Sequence, residues 1–171
     1  MLATTLVPLS EYLSTDYQPD REYLDGVVTE RNLGERDHSK TQRNLIVWID
    51  GFLTTEQLNV YPEQRVQVTP SRFRIPDVCV VIGPEPDEQI LTQPPFLCVE
   101  ILSRDDSGGR MRQKVDEYLA FGVKYVWVLD PQNQCASAFS ATALGEIQLD
   151  KDGVLTTAEP HIAVPLRKIF R

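Results

Sequence analysis

Two acidic residues stand in stretches of the sequence from which a buried β-strand would normally exclude charge. Glu100 interrupts the most apolar run of the chain, residues 96–103, and Asp77 opens another apolar run that extends to Ile82. Burying an ionised carboxylate is costly unless the group is paired, neutralised or bound to a metal. If the two runs form neighbouring strands, the two carboxylates can converge.

Each acidic residue also has an ordinary explanation. An Asp after Pro76 at the start of a strand is often only a turn former, and Glu100 alone can be half of a structural ion pair with an arginine from a helix. Together, Asp77 and Glu100 predict a site for a hard cation, Mg²⁺ or Mn²⁺, whose other ligands are water and a backbone carbonyl.

Lys114 is the third candidate of this group. It falls at the edge of the apolar stripe of the helix predicted over residues 107–121, so it can lean toward the strand face that bears Glu100. Most lysines at such positions only extend their charged end to solvent. Beside two carboxylates, however, an ammonium group can stabilise charge that develops on a phosphoryl group or orient a metal-bound water.

The elements that must position these residues follow an α/β pattern. The runs 75–82 and 96–103 are apolar on successive residues, which is typical of central strands covered on both faces. The period changes to helical over 107–121, Gly122 is expected to end that helix, and 123–129 is the next strand. Strand, helix and strand in this order predict a crossover between parallel strands.

Shorter elements are predicted before this unit. A short helix is expected around residues 10–13, and residues 23–30 form a predicted hairpin whose Asp25-Gly26 turn needs positive φ. Residues 39–53 are predicted as an amphipathic helix. Its expected capping residues are Asp37 and Ser39. Its apolar face is expected to consist of Leu45, Trp48, Ile49, Phe52 and Leu53.

Short strands are also expected after the crossover unit, within residues 135–139 and 147–155. The predicted fold class is therefore α/β, with a mixed β-sheet core flanked by helices, an N-terminal hairpin and short C-terminal strands. The simplest domain organisation is one domain over residues 1–171.

The charge balance limits the kind of nucleic-acid binding that is expected. The chain has 171 residues, with 17 Lys+Arg against 25 Asp+Glu and a formal net charge of −8. Proteins that hold nucleic acid by general electrostatic attraction carry the opposite sign. We therefore expect any phosphate chemistry to be local, and any binding to be weak, salt-sensitive and metal-dependent.

Other classes are excluded by composition. The apolar runs fall short of the roughly 18 to 20 residues that a membrane span needs, and the N-terminus lacks the features of a signal peptide, which predicts a cytoplasmic protein. The three cysteines lie far apart and are expected to be reduced, and two histidines are too few for a structural zinc site. No Ser-His-Asp or Cys-His arrangement indicates a nucleophilic mechanism.

Several basic side chains are candidates for holding phosphates. Arg31 and Lys40 lie in one locally basic segment, residues 31–43, and Arg74 lies in another, residues 61–76. For any one of them, an ordinary solvated surface is the alternative explanation.

The order of the candidate residues and of the segments around them resembles that of the PD-(D/E)XK nuclease superfamily. It resembles more closely the Uma-type family of bacterial restriction endonucleases within that superfamily, formerly a domain of unknown function. The similarity covers nearly the whole chain. It depends on the order and spacing of short segments: Glu22-Tyr23-Leu24-Asp25-Gly26, His38, Ile75-Pro76-Asp77-Val78, residues 95–103, Lys114 with Tyr118, residues 122–127 and Leu129-Asp130-Pro131.

The resemblance implies a restriction-endonuclease-like core and the metal-dependent hydrolysis of a DNA phosphodiester bond. By this resemblance, Asp77 and Glu100 match the two acidic residues of the motif. The superfamily's lysine normally stands two residues after the second acid, where this chain has Leu102. Lys114 matches the position to which the Uma-type family moves that lysine.

Two further residues match positions of this family. Glu22 matches an acidic position near the first strand and is a candidate metal ligand. An equally good explanation is an exposed Glu that only precedes the hairpin. His38 is expected at a helix start or on the substrate side, where a neutral imidazole could also shuttle a proton.

The leading hypothesis is therefore a DNA endonuclease dependent on Mg²⁺ or Mn²⁺, in which the Ile101 carbonyl is a further metal ligand and Lys114 assists the attacking water. The alternative is a nuclease fold retained as a binding or assembly module without catalysis, which the net charge of −8 and Leu102 at the usual lysine position would explain. A homodimer is expected by analogy, because cutting two strands commonly requires two sites.

Overall fold

The computed structural model describes residues 5–31, 34–51, 57–143 and 145–171. In chain order its elements are α1 (Leu9–Ser14), β1 (Arg21–Leu24), β2 (Val27–Glu30), α2 (Arg36–Asp50), β3 (Leu58–Pro62), β4 (Val66–Thr69), β5 (Arg72–Arg74), β6 (Val78–Ile82), β7 (Leu97–Ile101), α3 (Gly108–Phe121), β8 (Tyr125–Asp130), β9 (Cys135–Ser140), β10 (Ile147–Leu149), β11 (Val154–Thr156), β12 (Ala163–Pro165) and α4 (Leu166–Ile169).

A six-stranded sheet forms the centre, with the strand order β10-β9-β8-β7-β6-β3. Strands β7 and β8 are parallel and the other neighbours are antiparallel, so the predicted mixed sheet is confirmed. Every residue of β7 is buried. Its side chains alternate between two apolar clusters, with Cys98 on the side of α3 and Val99 on the side of α2 and the C-terminal elements. The helices thus cover both faces, as the apolar runs predicted.

Helix α3 connects the two parallel strands and confirms the predicted strand-helix-strand unit. The Ser107 side chain accepts a hydrogen bond from the Arg110 amide at the N-terminus of the helix. At the other end, Gly122 has a φ of 111°, the left-handed conformation that ends many helices. Met111, Val115 and Tyr118 are the buried face of this helix.

The N-terminal hairpin belongs to a second sheet, with the order β2-β1-β5-β4. Its turn has positive φ at both central residues, 50° at Asp25 and 93° at Gly26, as the sequence predicted. Tyr12 from α1 packs on Tyr23 and Phe73 of this sheet, with ring centroids 4.8 Å and 5.6 Å apart. This small aromatic core packs α1 against the four-stranded sheet.

The predicted strand over residues 75–82 is wrong at its N-terminal end. Strand β5 ends at Arg74 in the four-stranded sheet, and β6 begins at Val78 in the six-stranded sheet. The residues between them cross from one sheet to the other, and Pro76 has no amide to donate to a strand ladder. Asp77 therefore lies on the crossing segment, one residue before β6.

The predicted boundaries and caps of the amphipathic helix also need correction. Helix α2 begins at Arg36, so Asp37 and Ser39 lie inside it. The Ser39 amide donates to the Glu35 carbonyl, because the helical ladder already starts there. The helix ends at Asp50, Leu45 and Ile49 are buried as predicted, and Phe52 and Leu53 lie outside the described residues.

The C-terminal strands are short, as expected: β10 pairs with β9, and β11 pairs with β12. The three cysteines are free thiols. Within the described ranges, no helix is both long enough and apolar enough to cross a membrane.

Candidate active site

A cleft of about 130 Å³ opens where the four-stranded sheet, the first turn of α2, the end of β7 and helix α3 come together. It brings together most of the residues that the sequence singled out, namely Glu22, Arg31, His38, Arg74, Asp77, Glu100, Ile101 and Lys114. The register of the central sheet explains why the two acids meet. Val78 pairs with Val99 in the antiparallel β6–β7 pair, so the residues one step beyond them, Asp77 and Glu100, stand opposite each other.

Asp77 is buried and both of its carboxylate oxygens accept hydrogen bonds. The Arg31 Nη2 atom lies 2.6 Å from Oδ1, and the backbone amide of Ile101 lies 2.7 Å from Oδ2. His38 Nε2 is 3.3 Å from Oδ2. Burial alone would raise the pKa of Asp77, but the hydrogen bond and charge of His38, with those of Arg31 and the Ile101 amide, hold it below its usual range. Asp77 is therefore a carboxylate at neutral pH.

Glu100 is 2% exposed and projects from β7 toward α3. The Tyr118 hydroxyl donates to Oε1 at 2.7 Å, and Lys114 Nζ donates to Oε2 at 3.0 Å. Burial raises the pKa of Glu100 to about 7; Lys114 opposes this rise, while Asp77 and Glu22 add to it. Near neutral pH, Glu100 is therefore close to the balance between its protonated and ionised forms, and a neighbouring positive charge would favour the ionised form.

Lys114 bridges two acidic residues. Its Nζ lies 3.0 Å from Glu100 Oε2 and 3.0 Å from Glu22 Oε1. Burial alone would lower the pKa of Lys114, but the charges of Glu100, Glu22 and Asp77 raise it above its ordinary value. The side chain is therefore an ammonium group and a hydrogen-bond donor across the neutral range.

Glu22 is also buried, at 4% exposure, so the alternative of an exposed Glu before the hairpin is wrong. Its Oε2 lies 2.7 Å from Arg74 Nη1, and its Oε1 accepts from the Ile75 amide at 3.3 Å as well as from Lys114. Burial acts to raise the pKa of Glu22, but Lys114 and Arg74 lower it below its usual value.

The predicted phosphate-binding residues lie in three different surroundings. Arg31 and His38 lie in the cleft, where both contact the carboxylate of Asp77. Arg74 is 4% exposed and is held between Glu22 and Glu117, so its guanidinium supports the cleft from within. Lys40 is exposed and lines a separate depression with the residues Asp37, Thr41, Pro131, Gln134, Ile169 and Phe170.

Two residues at this site had no role assigned from the sequence. Tyr118 stands four residues after Lys114, on the same face of α3, so its contact with Glu100 follows from helical spacing once Lys114 is placed. Arg110 stands four residues before Lys114 and lines the same cleft. The same spacing argument could have identified Arg110, whose side chain is exposed.

The donor set of the cleft fits a small hard cation. In the described part of the chain, no group of three or more His, Cys, Asp and Glu side chains is placed to hold a metal ion. Mg²⁺, however, usually takes one or two carboxylates and completes its shell with water and substrate phosphate. Asp77, Glu100 and Ile101 line the cleft, and their carboxylate and carbonyl oxygens are donors of this kind. A bound cation would favour the ionised form of Glu100.

The fold is that of a restriction-endonuclease-like nuclease. A solved structure described as a "putative nuclease belonging to DUF820", from Anabaena variabilis ATCC 29413, matches with a TM-score of 0.84 and 20% sequence identity, over 96% of this chain and 97% of that chain. The model of the Uma2 family, described as "putative restriction endonuclease", matches residues 9–163. The chain therefore belongs to the Uma2 family, which confirms the family predicted from the sequence. A search of curated proteins found no match.

Proposed function

We propose that this chain is a metal-dependent endonuclease that hydrolyses DNA phosphodiester bonds. One observation carries the proposal: Asp77, Glu100 and Lys114 come from three different segments and converge in one cleft. Asp77 precedes β6, Glu100 lies in β7 and Lys114 projects from α3. Membership of the Uma2 family supports the same class of chemistry.

In this proposal, Asp77 and Glu100 hold Mg²⁺ or Mn²⁺ together with the Ile101 carbonyl. Such an ion polarises a phosphoryl oxygen and lowers the pKa of a bound water. Glu22 was a candidate for a further ligand, but its Oε2 is paired with the guanidinium of Arg74. Arg74 is 4% exposed and is also held by Glu117, so it cannot move aside for an ion. We therefore assign Glu22 to positioning Lys114.

Lys114 acts in this scheme as a hydrogen-bond donor. Because its pKa is raised, the ammonium keeps its proton and cannot serve as the general base at neutral pH. It instead orients the attacking water and stabilises the negative charge that grows on the phosphoryl oxygens. Glu22 and Glu100 restrain the ammonium from two sides, which fixes the direction in which it donates.

The substrate in this proposal is DNA, bound weakly and only with the metal in place. The net charge of −8 opposes general attraction to a polyanion, so affinity must come from the few cations at the cleft. Arg31, His38 and Arg110 are the cleft residues that we assign to the phosphates. Lys40 lines a different depression, so we assign it at most to a distant part of a long duplex.

The test is cleavage of plasmid DNA with Mn²⁺ by the wild-type chain and by Asp77→Ala and Glu100→Gln. We expect each substitution to lower the rate by about 100-fold or more, the size of the loss when one preorganised electrostatic group is removed. Asp116→Asn is the matched control, because Asp116 is an exposed acid of α3 that pairs across the helix surface with Arg112. Cleavage that survives both site substitutions unchanged would refute the assignment.

The second candidate function is a binding or assembly module that has kept the nuclease fold without catalysis. It is favoured by the pairing within the cleft, where Arg31, Lys114 and Tyr118 already engage the oxygens of Asp77 and Glu100. Titration with Mn²⁺ by calorimetry separates the two functions. A nuclease binds the ion and loses that binding in Glu100→Gln, whereas a binding module does not need the ion.

We also propose that the chain acts as a homodimer, because cleavage of both strands requires two sites. Ile147 and Val154 in the C-terminal strands are exposed apolar side chains that a second copy could cover. Light scattering coupled to gel filtration tests this, and a monomer at micromolar concentration with DNA and metal contradicts it.

A further inference from the structure

We infer that Arg31 occupies the place of the metal ion at Asp77, and that it must leave Asp77 when the ion binds. The released guanidinium then faces the cleft, where it holds a DNA phosphate. The inference rests on the proposed metal site. It makes Arg31 a positioning residue that couples metal binding to substrate binding.

The geometry at Asp77 identifies the oxygen for which Arg31 and the ion compete. Oδ2 is engaged by the Ile101 amide at 2.7 Å and by His38 at 3.3 Å. Oδ1 is engaged by Arg31 Nη2 at 2.6 Å. The Asp77 side chain is 7% exposed and that of Arg31 is 16% exposed, so the guanidinium covers this oxygen from the solvent side.

Arg31 is the partner of Asp77 that can leave. The Ile101 amide belongs to the backbone of β7, which the parallel pairing with β8 holds in place. Arg31, by contrast, is a long side chain that follows the last residue of β2. Its Nη1 atom also lies 3.6 Å from Glu63 Oε1, and the Glu63 side chain is 47% exposed. Glu63 therefore offers a solvent-facing acceptor that stays available after the contact with Asp77 breaks.

Charge explains why the two cations exclude each other. A guanidinium hydrogen-bonded to Oδ1 places one positive charge where a divalent ion would bring two, and both cannot share the oxygen at bonding distance. When the ion binds, Arg31 is repelled from Asp77 but remains on the wall of the cleft, close to Glu63. A phosphate that enters the cleft then meets a guanidinium whose planar donor geometry matches it.

This arrangement predicts that metal and DNA bind cooperatively. The ion frees Arg31 for the phosphate, and by thermodynamic reciprocity the phosphate, by holding Arg31 away from Asp77, raises the affinity for the ion. Without metal, Arg31 stays paired with Asp77 and is not available to a DNA phosphate.

The experiment measures Mn²⁺ binding by calorimetry in the absence of DNA, for the wild type and for Arg31→Met, which keeps the aliphatic stem. We expect Arg31→Met to bind Mn²⁺ about tenfold more tightly or better, because one charge-assisted hydrogen bond no longer competes. Arg36→Met is the matched control. Arg36 is 90% exposed and pairs with its neighbour Asp37, so its loss should leave the affinity unchanged.

A second measurement is the anisotropy of a fluorescent DNA duplex at saturating Ca²⁺. We expect Arg31→Met to bind this DNA more weakly than the wild type, although it binds the metal more tightly. A merely structural role for Arg31 would weaken both interactions. Arg31→Gln, measured in the same way, replaces Arg31→Met if the latter does not give a cooperative thermal unfolding transition.

The outcomes separate this inference from the proposed function. If the wild type binds Mn²⁺, Glu100→Gln abolishes that binding, and the Arg31 variants bind Mn²⁺ as the wild type does or more weakly, the inference is wrong and the metal site stands. If the wild type and the Arg31 variants all fail to bind Mn²⁺ at millimolar concentration, the metal site is wrong and the inference falls with it.

Discussion

At the scale of single residues, the cleft places acids with opposite pKa shifts side by side. Asp77 and Glu22 accept from cations and amides, and the pKa of each is lowered. Glu100 accepts from Lys114 and Tyr118, yet its pKa is raised to about 7 because it is buried and lies near both other acids. The three carboxylates therefore differ in how readily they give up a proton. Glu100 is the one that would gain most from a bound cation.

The raised pKa of Glu100 makes a prediction about stability in metal-free buffer. In the unfolded chain a Glu titrates near pH 4.5, so between that pH and about 7 the folded protein holds a proton that the unfolded chain releases. The contribution of Glu100 to the free energy of unfolding is thus complete below pH 4.5 and is lost as the pH rises through 7. We expect the wild type to lose stability relative to Glu100→Gln over this interval, by on the order of 3 kcal/mol.

Urea unfolding in EDTA at pH 4.5 and pH 8 measures this difference. Asp116→Asn is again the control, because it removes an acid from the exposed side of the same helix. A difference between wild type and Glu100→Gln that stays constant with pH contradicts the raised pKa.

At the scale of elements, helix α3 completes the candidate site, because it brings Lys114 to the acid of strand β7, Glu100. Its buried side packs on the sheet through Met111, Val115 and Tyr118, and this packing directs Lys114 at Glu100. The register of the helix depends on its ends, because Ser107 caps the N-terminus and Gly122 ends the last turn. A change at either end should alter the stability of the helix more than its direction.

Glycines at the two ends of α3, Gly109 in its first turn and Gly122 directly after its last residue, give opposite predictions for the same substitution. Gly122 has a φ of 111°, so Gly122→Ala forces a side chain into a left-handed conformation, which we expect to cost about 1 kcal/mol or more of unfolding free energy. Gly109 has helical backbone and no heavy atom of the described residues within 4 Å of an added Cβ. Gly109→Ala should therefore stabilise the protein, by up to about 1 kcal/mol.

Denaturant titration of both variants checks this pair. Because the two substitutions add the same methyl group to one helix, each serves as the control for the other. Equal effects of the two would show that backbone conformation is not what distinguishes these positions.

At the scale of the whole molecule, charge is distributed unevenly within a chain of net charge −8. The cations of the cleft are largely paired with acids: Arg74 with Glu22, and Lys114 with Glu22 and Glu100. Such pairing leaves few positive charges for DNA. Specific engagement must then depend on the metal and on the small number of cations at the cleft, rather than on a basic surface.

This view predicts that DNA binding with Ca²⁺ present is sensitive to salt, but with a smaller slope than that of a protein with a basic groove. A plot of the logarithm of affinity against the logarithm of salt concentration should fall with a slope of about one for each phosphate neutralised. A few contacts therefore give a slope far smaller than that of a protein with a basic groove. Arg31→Met should lower the slope by about 1. Anisotropy titrations between 50 and 200 mM salt measure it, with Arg36→Met as the control whose slope should match the wild type.

How much was predictable differs between the fold and the site. The apolar runs, the helical period and the Asp25-Gly26 turn predicted the main elements and the parallel strand pair, because these signals are local. The start of α2 was misplaced because two polar residues inside its first turn resemble caps, and only the backbone ladder from Glu35 identifies the true start. The end of β5 was missed because a single apolar stretch serves two sheets.

The sequence by itself determined the family, and it singled out Glu100 on a buried strand and Asp77 beside the neighbouring one, because the burial of an acid conflicts with the apolar pattern around it. Only the tertiary structure decided their partners. Arg31 meets Asp77 across 46 positions, and Arg74 meets Glu22 across 52, where the hairpin, α2 and α3 pack together. The physical reason is that a local sequence pattern carries information only about residues that are close along the chain. Periodicity reports which face of its own element a side chain occupies, whereas hydrogen bonds between elements depend on packing distances that no local pattern encodes.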